Sequence, residues 1–212
     1  MRKGLAVVVG SVMLAGCSVF GVRSGTEQPA YGVVERLGGA VEVRRYAPRV
    51  AAEAVVAAKS PEAGRNEAFG LLFDYISGAN RGAAEIAMTA PVAVDSAPEK
   101  IAMTVPVETR PAGEGEVAMR FFLPASYTLE RAPVPTDPRI ELAAVPARTE
   151  AVLRFSGSRS AEVVQDRIAE LTTALERSTW RATGPAVALF YDPPWTLPFF
   201  RRNEVAVPVA PR

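Results

Sequence analysis

Apolar and polar residues alternate with a period of two in several short segments, which is the pattern of half-buried β-strands. The clearest of them is Val41-Glu-Val-Arg-Arg-Tyr46. Similar extended segments begin near residues 31, 50, 117, 140, 149, 186 and 203. Two longer segments carry apolar residues at helical spacing instead. The pattern therefore predicts an α+β protein with many short strands and two helices.

Both helices have recognisable apolar faces. The first is predicted to begin after Ser60, a candidate N-cap that is followed by Pro61, and to end at Gly78. Its bulky residues are spaced i, i+3, i+4 and i+7, and they are Phe69, Leu72, Phe73 and Ile76. We expect Phe69 and Phe73, on adjacent turns, to form part of a cleft wall and the other two to belong to the core. The second helix repeats apolar residues at Val164, Ile168, Leu171 and Leu175.

A nine-residue phrase occurs twice, at residues 86–94 and 101–109, and six of its first seven positions are identical. Because side chains alternate between faces in an extended chain, both copies predict strands, which present Met88 and Met103 to an apolar interior. The polar segment between the copies contains a proline and is typical of a turn. We therefore expect a hairpin. Core packing is the favoured role of the methionines and iron ligation the alternative, because methionine alone is a weak axial ligand.

The second half of the chain repeats the order of elements in the first half at an offset of about a hundred residues. Ile140-Glu-Leu142 corresponds to Val41-Glu-Val43, and each is followed by a proline, another extended segment and a helix. This order predicts two β-α-β-β units related by a pseudo-two-fold axis.

The amino terminus resembles a bacterial lipoprotein signal. A basic start, an apolar run from Gly4 to Met13 and the sequence Leu14-Ala-Gly-Cys17 follow one another. The resemblance implies a signal peptide over residues 1–16, cleavage before Cys17 and lipid attachment to that cysteine. A secretory signal with an incidental cysteine is the alternative.

The signal also indicates how the rest of the chain is organised. Residues 17–30 are rich in small and polar residues and are predicted to be a flexible tether, and residues 31–212 are predicted to be a single domain. Ser18 resembles the pattern of lipoproteins sent to an outer membrane. We therefore expect a lipid-anchored protein of the cell envelope, on the periplasmic face of the outer membrane if the cell has two membranes.

Composition excludes several classes of function. The chain contains no histidine, which excludes Ser/His/Asp and Cys/His triads and histidine-ligated metals. Its one cysteine, Cys17, excludes an internal disulfide. A formal net charge of +1 without a basic stripe argues against nucleic acid as a partner. No pair of carboxylates has a spacing that indicates acid/base chemistry, so we predict that the protein is not an enzyme.

Six motifs occur in order between residues 31 and 207 and together resemble the SOUL family of haem-binding proteins. They are Tyr46-Ala-Pro48, Asp74-Tyr-Ile-Ser-Gly-Ala-Asn80, the doubled Met-Thr-(Ala/Val)-Pro-Val, Phe121-Phe-Leu-Pro124, Tyr191-Asp-Pro-Pro-Trp195 and Arg201-Arg-Asn-Glu-Val205. The doubled phrase and the Arg-Arg-Asn-Glu motif are specific, so the chain is identified as a member of this family.

The resemblance implies a distorted antiparallel β-barrel of about eight or nine strands with two flanking helices, and a haem site in an apolar surface cleft beside the first helix. Members that ligate iron through histidine place it directly before the tyrosine of the first strand motif, where this chain has Arg45. A guanidinium does not ligate iron but suits a propionate. The candidate haem-cleft residues are Arg44, Arg45, Tyr46, Arg65, Phe69, Phe73, Met88 and Met103.

Two functions follow from the resemblance. The first is a lipid-anchored module that binds haem or a related tetrapyrrole non-covalently, without a histidine ligand, for buffering or transfer. The second is a structural or interaction lipoprotein of the same fold that binds no porphyrin, or binds another apolar molecule. A tetrapyrrole-processing enzyme is a weaker third reading. If Phe199 and Phe200 are exposed, they indicate a partner surface or a ligand rim.

Overall fold

The computed structural model describes residues 25–82 and 97–212. Within these residues, two α-helices, α1 (Pro61–Ser77) and α2 (Ala161–Glu176), and a 3-10 helix (Pro198–Phe200) accompany the strands. The strands are β1 (Tyr31–Gly38), β2 (Val41–Tyr46), β3 (Arg49–Ala57), β4 (Asn80–Arg81), β5 (Val107–Gly113), β6 (Glu116–Phe122), β7 (Val134–Pro135), β8 (Ile140–Val145), β9 (Arg148–Phe155), β10 (Trp180–Ala182), β11 (Val187–Phe190) and β12 (Asn203–Pro211).

One antiparallel sheet dominates the fold. Its strands follow the order β1-β2-β9-β12-β11-β5-β6-β3-β8, and β10 pairs with the end of β12. The sheet curls into a half-barrel, which confirms the predicted α+β class. Within the described residues, β1 and β8 leave the barrel open on one side. β1 is largely exposed and has two register shifts against β2, a device that discourages further pairing of an edge strand.

Short links between distant strands show how strongly the sheet curls. Only Ala47 and Pro48 connect β2 to β3, although six positions separate these strands in the sheet order. A flat sheet would place them about 29 Å apart, whereas such a link reaches only about 10 Å. The two-residue link between β8 and β9 has the same consequence. One face of the sheet is therefore the interior of the half-barrel.

The helices cover the other face. α1 packs on β3 and β6, and α2 packs on β9, β10 and β12. Ser60 caps α1 as predicted, with its Oγ accepting a hydrogen bond from the Ala63 amide at 3.2 Å, and Gly78 at φ 123° ends it. Leu72 and Ile76 are buried in the core beneath α1, whereas Phe69 and Phe73 are exposed. Leu171 and Leu175 fill the core beneath α2.

The two predicted halves are present and exchange strands. The elements β2-β3-α1-β5-β6 correspond to β8-β9-α2-β11-β12. The first strand of each half pairs with the second strand of the other, because β2 pairs with β9 and β8 pairs with β3. Each half is therefore incomplete without the other.

The predicted methionine hairpin is wrong in its second copy. The strand there begins only at Val107, and Met103 precedes it and is exposed instead of facing the interior. β5 pairs with β6 on one edge and with β11 on the other. The first copy, with Met88, lies outside the described residues.

The last part of the predicted tether contacts the folded body. The carbonyl oxygen of Glu27 accepts a hydrogen bond from the Val105 amide at 3.0 Å, and its side chain accepts one from the Ala125 amide at 2.7 Å. Glu27, which the sequence places in the predicted tether, therefore contacts the folded body. Cys17 lies outside the described residues. No helix within residues 25–82 and 97–212 is long and apolar enough to cross a bilayer.

Candidate ligand cleft between the two helices

A cleft of about 390 Å³ opens between the amino-terminal turns of α1 and α2, on the helical side of the sheet. This volume falls within the range of about 300–1,000 Å³ that is usual for small-molecule sites. β5 and β11, which are neighbours at the centre of the sheet, form its floor. The cleft exists because α1 lies over β3 and β6 and α2 over β9 and β12, so neither helix covers the central pair.

The floor and the α2 wall are apolar. Ala188 and Phe190 of β11 and Val117 of β6 contribute to the lining. Val164 and Ile168 face the cleft from the first two turns of α2 and are only half-buried. The small side chain of Ala188 keeps the centre of the cleft deep. A flat apolar molecule has a suitable surface to rest on here.

Four cationic side chains line the cleft, namely Lys59, Arg65, Arg110 and Arg159, together with the acidic side chain of Glu116. Arg110 is paired with Glu53 at 2.9 Å. Arg159 is fixed by the protein, because its Nε donates to Asn203 Oδ1 at 3.2 Å and its Nη2 donates to the Asp192 carbonyl at 2.7 Å. Burial, assisted by the nearby charge of Arg201, lowers the pKa of Arg159 to about 10. Among the described residues, Lys59 and Arg65 have no ion-pair partner. They are therefore available to an anionic group of a ligand.

An aromatic pair lies farther along α1, and neither ring is among the residues that line the cleft. Arg65, Phe69 and Phe73 are spaced four residues apart, so they lie along one side of the helix. The Phe69 and Phe73 rings stack with centroids 6.0 Å apart, and Phe69 meets Phe121 of β6 edge-to-face at 5.4 Å. Both rings are substantially exposed. The structure thus brings together the three α1 residues of the predicted site.

The predicted residues of β2 lie elsewhere. Arg44 is buried and binds Glu42 and Glu204, each at 2.9 Å. Tyr46 is buried on the same interior face, beneath the guanidinium of Arg49 at 4.3 Å. Arg45 is exposed on β2. None of these residues lines the cleft beside α1, so the predicted set does not form one site.

The interior of the half-barrel holds a network of charges that sequence reasoning missed. Glu204 is fully buried and accepts from Arg44, from Tyr191 Oη at 2.6 Å and from both Nε and Nη2 of Arg202. Burial raises the pKa of Tyr46 to about 12 and raises that of Tyr191 well above its ordinary value. Arg49 of β3 reaches Glu150 of β9 at 3.2 Å across the barrel. These groups pair with one another across the interior, while the buried Nε of Arg49 has no hydrogen-bond partner among the described residues.

The cleft has groups that suit a porphyrin ring and its carboxylates, but its described lining has no side chain suited to ligate the iron. An apolar floor with two available cations matches a flat ring that carries carboxylates. No histidine exists in the chain, and the described lining contains no methionine, cysteine or tyrosine. The described part of the chain also has no cluster of three or more metal-ligating side chains. The residues present therefore fit the ring and its propionates but supply no axial ligand.

Comparison with known proteins gives the family. Residues 26–208 match the family model described as "SOUL heme-binding protein". The chain belongs to this family. It is 28% identical to Heme-binding protein 1 of Xenopus tropicalis over 188 residues, which represent 89% of this chain and 93% of that protein.

Solved structures of low sequence identity share the fold of this SOUL family member. The EcmrR C-terminal domain superposes with a TM-score of 0.59 at 10% identity, covering 81% of this chain and 98% of that one. An uncharacterized conserved protein from Listeria innocua superposes with a TM-score of 0.52 at 14% identity, covering 80% and 92% of the two chains. At these identities the similarity shows the fold alone.

Sequence reasoning placed the site beside α1 but missed the α2 side of it. The missed residues are Arg159, Val164, Ile168, Ala188 and Phe190. A signal was available in the repeat, because two halves that each carry a helix on one sheet leave a groove between the helices. Applying that symmetry to the predicted α1 residues would have indicated α2 as the opposite wall.

Proposed function

We propose that the protein binds haem or a related tetrapyrrole non-covalently in the cleft between α1 and α2. The observation that carries the proposal is an apolar floor bordered by Lys59 and Arg65, two cations without a protein partner among the described residues, in a member of a haem-binding family. The ring lies on apolar side chains, which gain about 25 cal/mol for each Å² removed from water. The propionates face the cations.

Binding and release, not catalysis, are the proposed role. A bound haem supplies redox-active iron, while the protein's own residues bind and orient the ring. We further propose that lipid attached to Cys17 holds the protein at the cell envelope, where it buffers or transfers the tetrapyrrole. The lipoprotein signal in the sequence supports this location.

A hemin titration tests the proposal. The protein should show a saturable Soret change near one equivalent. Arg65→Ala should weaken binding by about fivefold, because an ion pair at a partly exposed position contributes up to about 1 kcal/mol. Arg45→Ala is the matched control, since Arg45 lies outside the cleft, and its affinity should equal that of the wild type. A linear, featureless Soret response would refute haem binding.

Metal-free protoporphyrin gives a second prediction. Because the described cleft offers no iron ligand, protoporphyrin should bind within about threefold of haem, measured by the quenching of tryptophan fluorescence or by porphyrin emission. Haem affinity greater than that of protoporphyrin by a hundredfold or more would contradict this expectation. It would direct attention to Met88, which lies outside the described residues, as an iron ligand.

Another apolar carboxylate is the alternative ligand. The missing axial ligand favours it, because a site that recognises a flat ring and its carboxylates has no requirement for metal. A protein that ignores both porphyrins yet binds an amphipathic fluorescent acid, with affinity reduced by Arg65→Ala, would support this alternative.

A further inference from the structure

The loop between β11 and β12 displays a group of large apolar side chains. Trp195 is 64% exposed and Phe199 67% exposed, and they are accompanied on the loop by Leu197 and Phe200, which are also exposed. Single exposed apolar residues are ordinary on a soluble protein, but a contiguous group of this size marks an interaction surface. We call residues 193–201 the aromatic loop.

The loop holds these side chains in a fixed arrangement. It contains three prolines and one turn of 3-10 helix, Pro198–Phe200. Arg201 ties its ends together, with Nε donating to the Thr196 carbonyl and Nη2 to the Pro194 carbonyl, both at 2.7 Å. The Gly157 amide donates to the Pro198 carbonyl at 2.9 Å, which fastens the loop to the segment before α2. A restrained display of apolar rings loses little entropy on docking.

The start of the folded body lies beside the aromatic loop. Arg202, directly after the loop, donates from Nη1 to Gln28 Oε1 at 3.1 Å. Gln28 is eleven residues after Cys17, and eleven extended residues reach at most about 40 Å. A bilayer that holds lipid on Cys17 is therefore within reach of this side of the molecule.

We propose that the aromatic loop docks into the headgroup region of the membrane that carries the lipid anchor, an inference that rests on the proposed lipidation of Cys17. Tryptophan and phenylalanine suit the boundary between headgroups and acyl chains. The guanidinium of Arg201 hydrogen-bonds only neutral carbonyls among its described contacts, so its charge complements lipid phosphates. An anchor and an interfacial loop together bind more firmly than either one.

Docking also orients the ligand cleft. The carbonyl of Asp192, directly before the loop, accepts the Arg159 hydrogen bond at the cleft wall. A loop that enters the headgroups therefore brings the α2 side of the cleft towards the bilayer, into which apolar tetrapyrroles partition.

Tryptophan quenching by lipids brominated along their acyl chains tests the docking. The full lipidated chain is reconstituted into phosphatidylethanolamine and phosphatidylglycerol vesicles with and without the brominated lipid. Trp180 is buried against β12 and α2, so Trp195 should provide most of the quenching. Trp195→Phe keeps an aromatic ring but removes the reporter and should abolish that quenching.

Two further variants separate docking from general surface changes. Phe199→Ser combined with Phe200→Ser should reduce the quenching of Trp195 by about threefold or more. The double substitution removes two apolar rings that would be buried in the lipid, so docking of the loop weakens. Val134→Ser, at an exposed apolar residue near the carboxyl end of α1, is the control and should leave the quenching unchanged.

The outcomes distinguish the proposals. Protein that sediments with the vesicles without quenching of Trp195 would overturn docking and leave lipid anchorage intact. Protein that does not sediment would refute both anchorage and docking, while a Soret titration of the same sample reports haem binding independently. A double variant with weakened hemin affinity in the absence of vesicles would assign the aromatic loop to the ligand cleft and overturn docking.

Discussion

Glu204 is a fully buried carboxylate that three side chains share, namely Arg44, Tyr191 and Arg202. A buried charge is tolerated only when its partners are in place. Glu204→Gln removes the charge and leaves two arginines facing a neutral amide, so the free energy of unfolding should fall by about 3–5 kcal/mol. Urea denaturation measures this change.

Glu170→Gln is the control for that variant. Glu170 pairs with Arg167 on the exposed face of α2, at 2.5 Å, and an exposed pair contributes at most about 1 kcal/mol. Its unfolding midpoint should stay close to that of the wild type. Equal, small effects of the two variants would show that the interior network does not stabilise the fold.

Alkaline pH should weaken the fold through buried tyrosines. Burial raises the pKa of Tyr46 to about 12, so the folded state retains a proton that the unfolded state loses above about pH 10. The stability from Tyr46 is therefore complete below about pH 10 and is lost as the pH rises to about 12, with a total on the order of 2 kcal/mol. Arg159 acts in the opposite direction over the same range, because its pKa is lowered to about 10.

Urea midpoints at about pH 9 and about pH 12 measure this dependence. Tyr46→Phe should make the decline shallower without removing it, because burial also raises the pKa of Tyr75 and Tyr191. A Tyr46→Phe protein with an unchanged slope would show that Tyr46 ionises normally in the folded state.

The interior network also shows that the sequence did not predict the partners of its buried charged residues. Arg44 was expected at a haem propionate because it adjoins the tyrosine motif of the family. Its partner Glu204 lies 160 residues away in the sequence and reaches it over the intervening strand β9. Alternation along β2 indicates which side chains share a face, but not which strand lies opposite. Arg65, by contrast, lies on α1, where the helix was predicted, and it lines the cleft; its contact with a haem propionate stays a prediction.

At the scale of elements, two glycines of α1 provide a matched comparison. Alanine is favoured over glycine in a helix by about 1 kcal/mol. A Cβ on Gly64 would lie 2.7 Å from Val117 Cγ2, while a Cβ on Gly70 would meet nothing within 4 Å. Gly70→Ala should therefore stabilise the protein by about 0.5–1 kcal/mol, and Gly64→Ala should destabilise it by about 1–3 kcal/mol.

Thermal denaturation of the two variants checks this prediction. Because helix propensity is common to both, the difference between their midpoints isolates the packing of α1 on β6. Midpoints that rise equally would show that Val117 moves aside without cost and that the contact between α1 and β6 is loose.

Local signals predicted elements well and pairings poorly. The beginning and end of α1 follow from Ser60 and Gly78, whose effects reach only a few residues. The doubled phrase at residues 101–109 has a regular alternation as well, yet most of it forms no strand. β6 and β11 occupy both edges of β5, and they come from later parts of the chain. Pairing depends on which strands compete for an edge, and this information is not local.

At the scale of the whole molecule, the family resemblance and the repeat predicted the fold, while the depth and lining of the cleft became visible only from the packing of the two helices. The sequence indicates each helix and its apolar face. The space between them depends on α1 and α2 leaving β5 and β11 uncovered, a property of sheet order. The pattern of residues along α1 alone therefore could not predict the α2 wall or the position of Arg159.

The exchange of strands between the halves also determines how long each strand waits for its partner during synthesis. β2 leaves the ribosome early, but its partner β9 begins about a hundred residues later. At about 5–20 residues per second, that interval lasts roughly 5–20 seconds. Throughout it the edge of β2 that will receive β9 is open to any other extended chain nearby. Until β9 is complete at residue 155, about three-quarters of the way along the chain, β2 therefore lacks the strand that covers this edge.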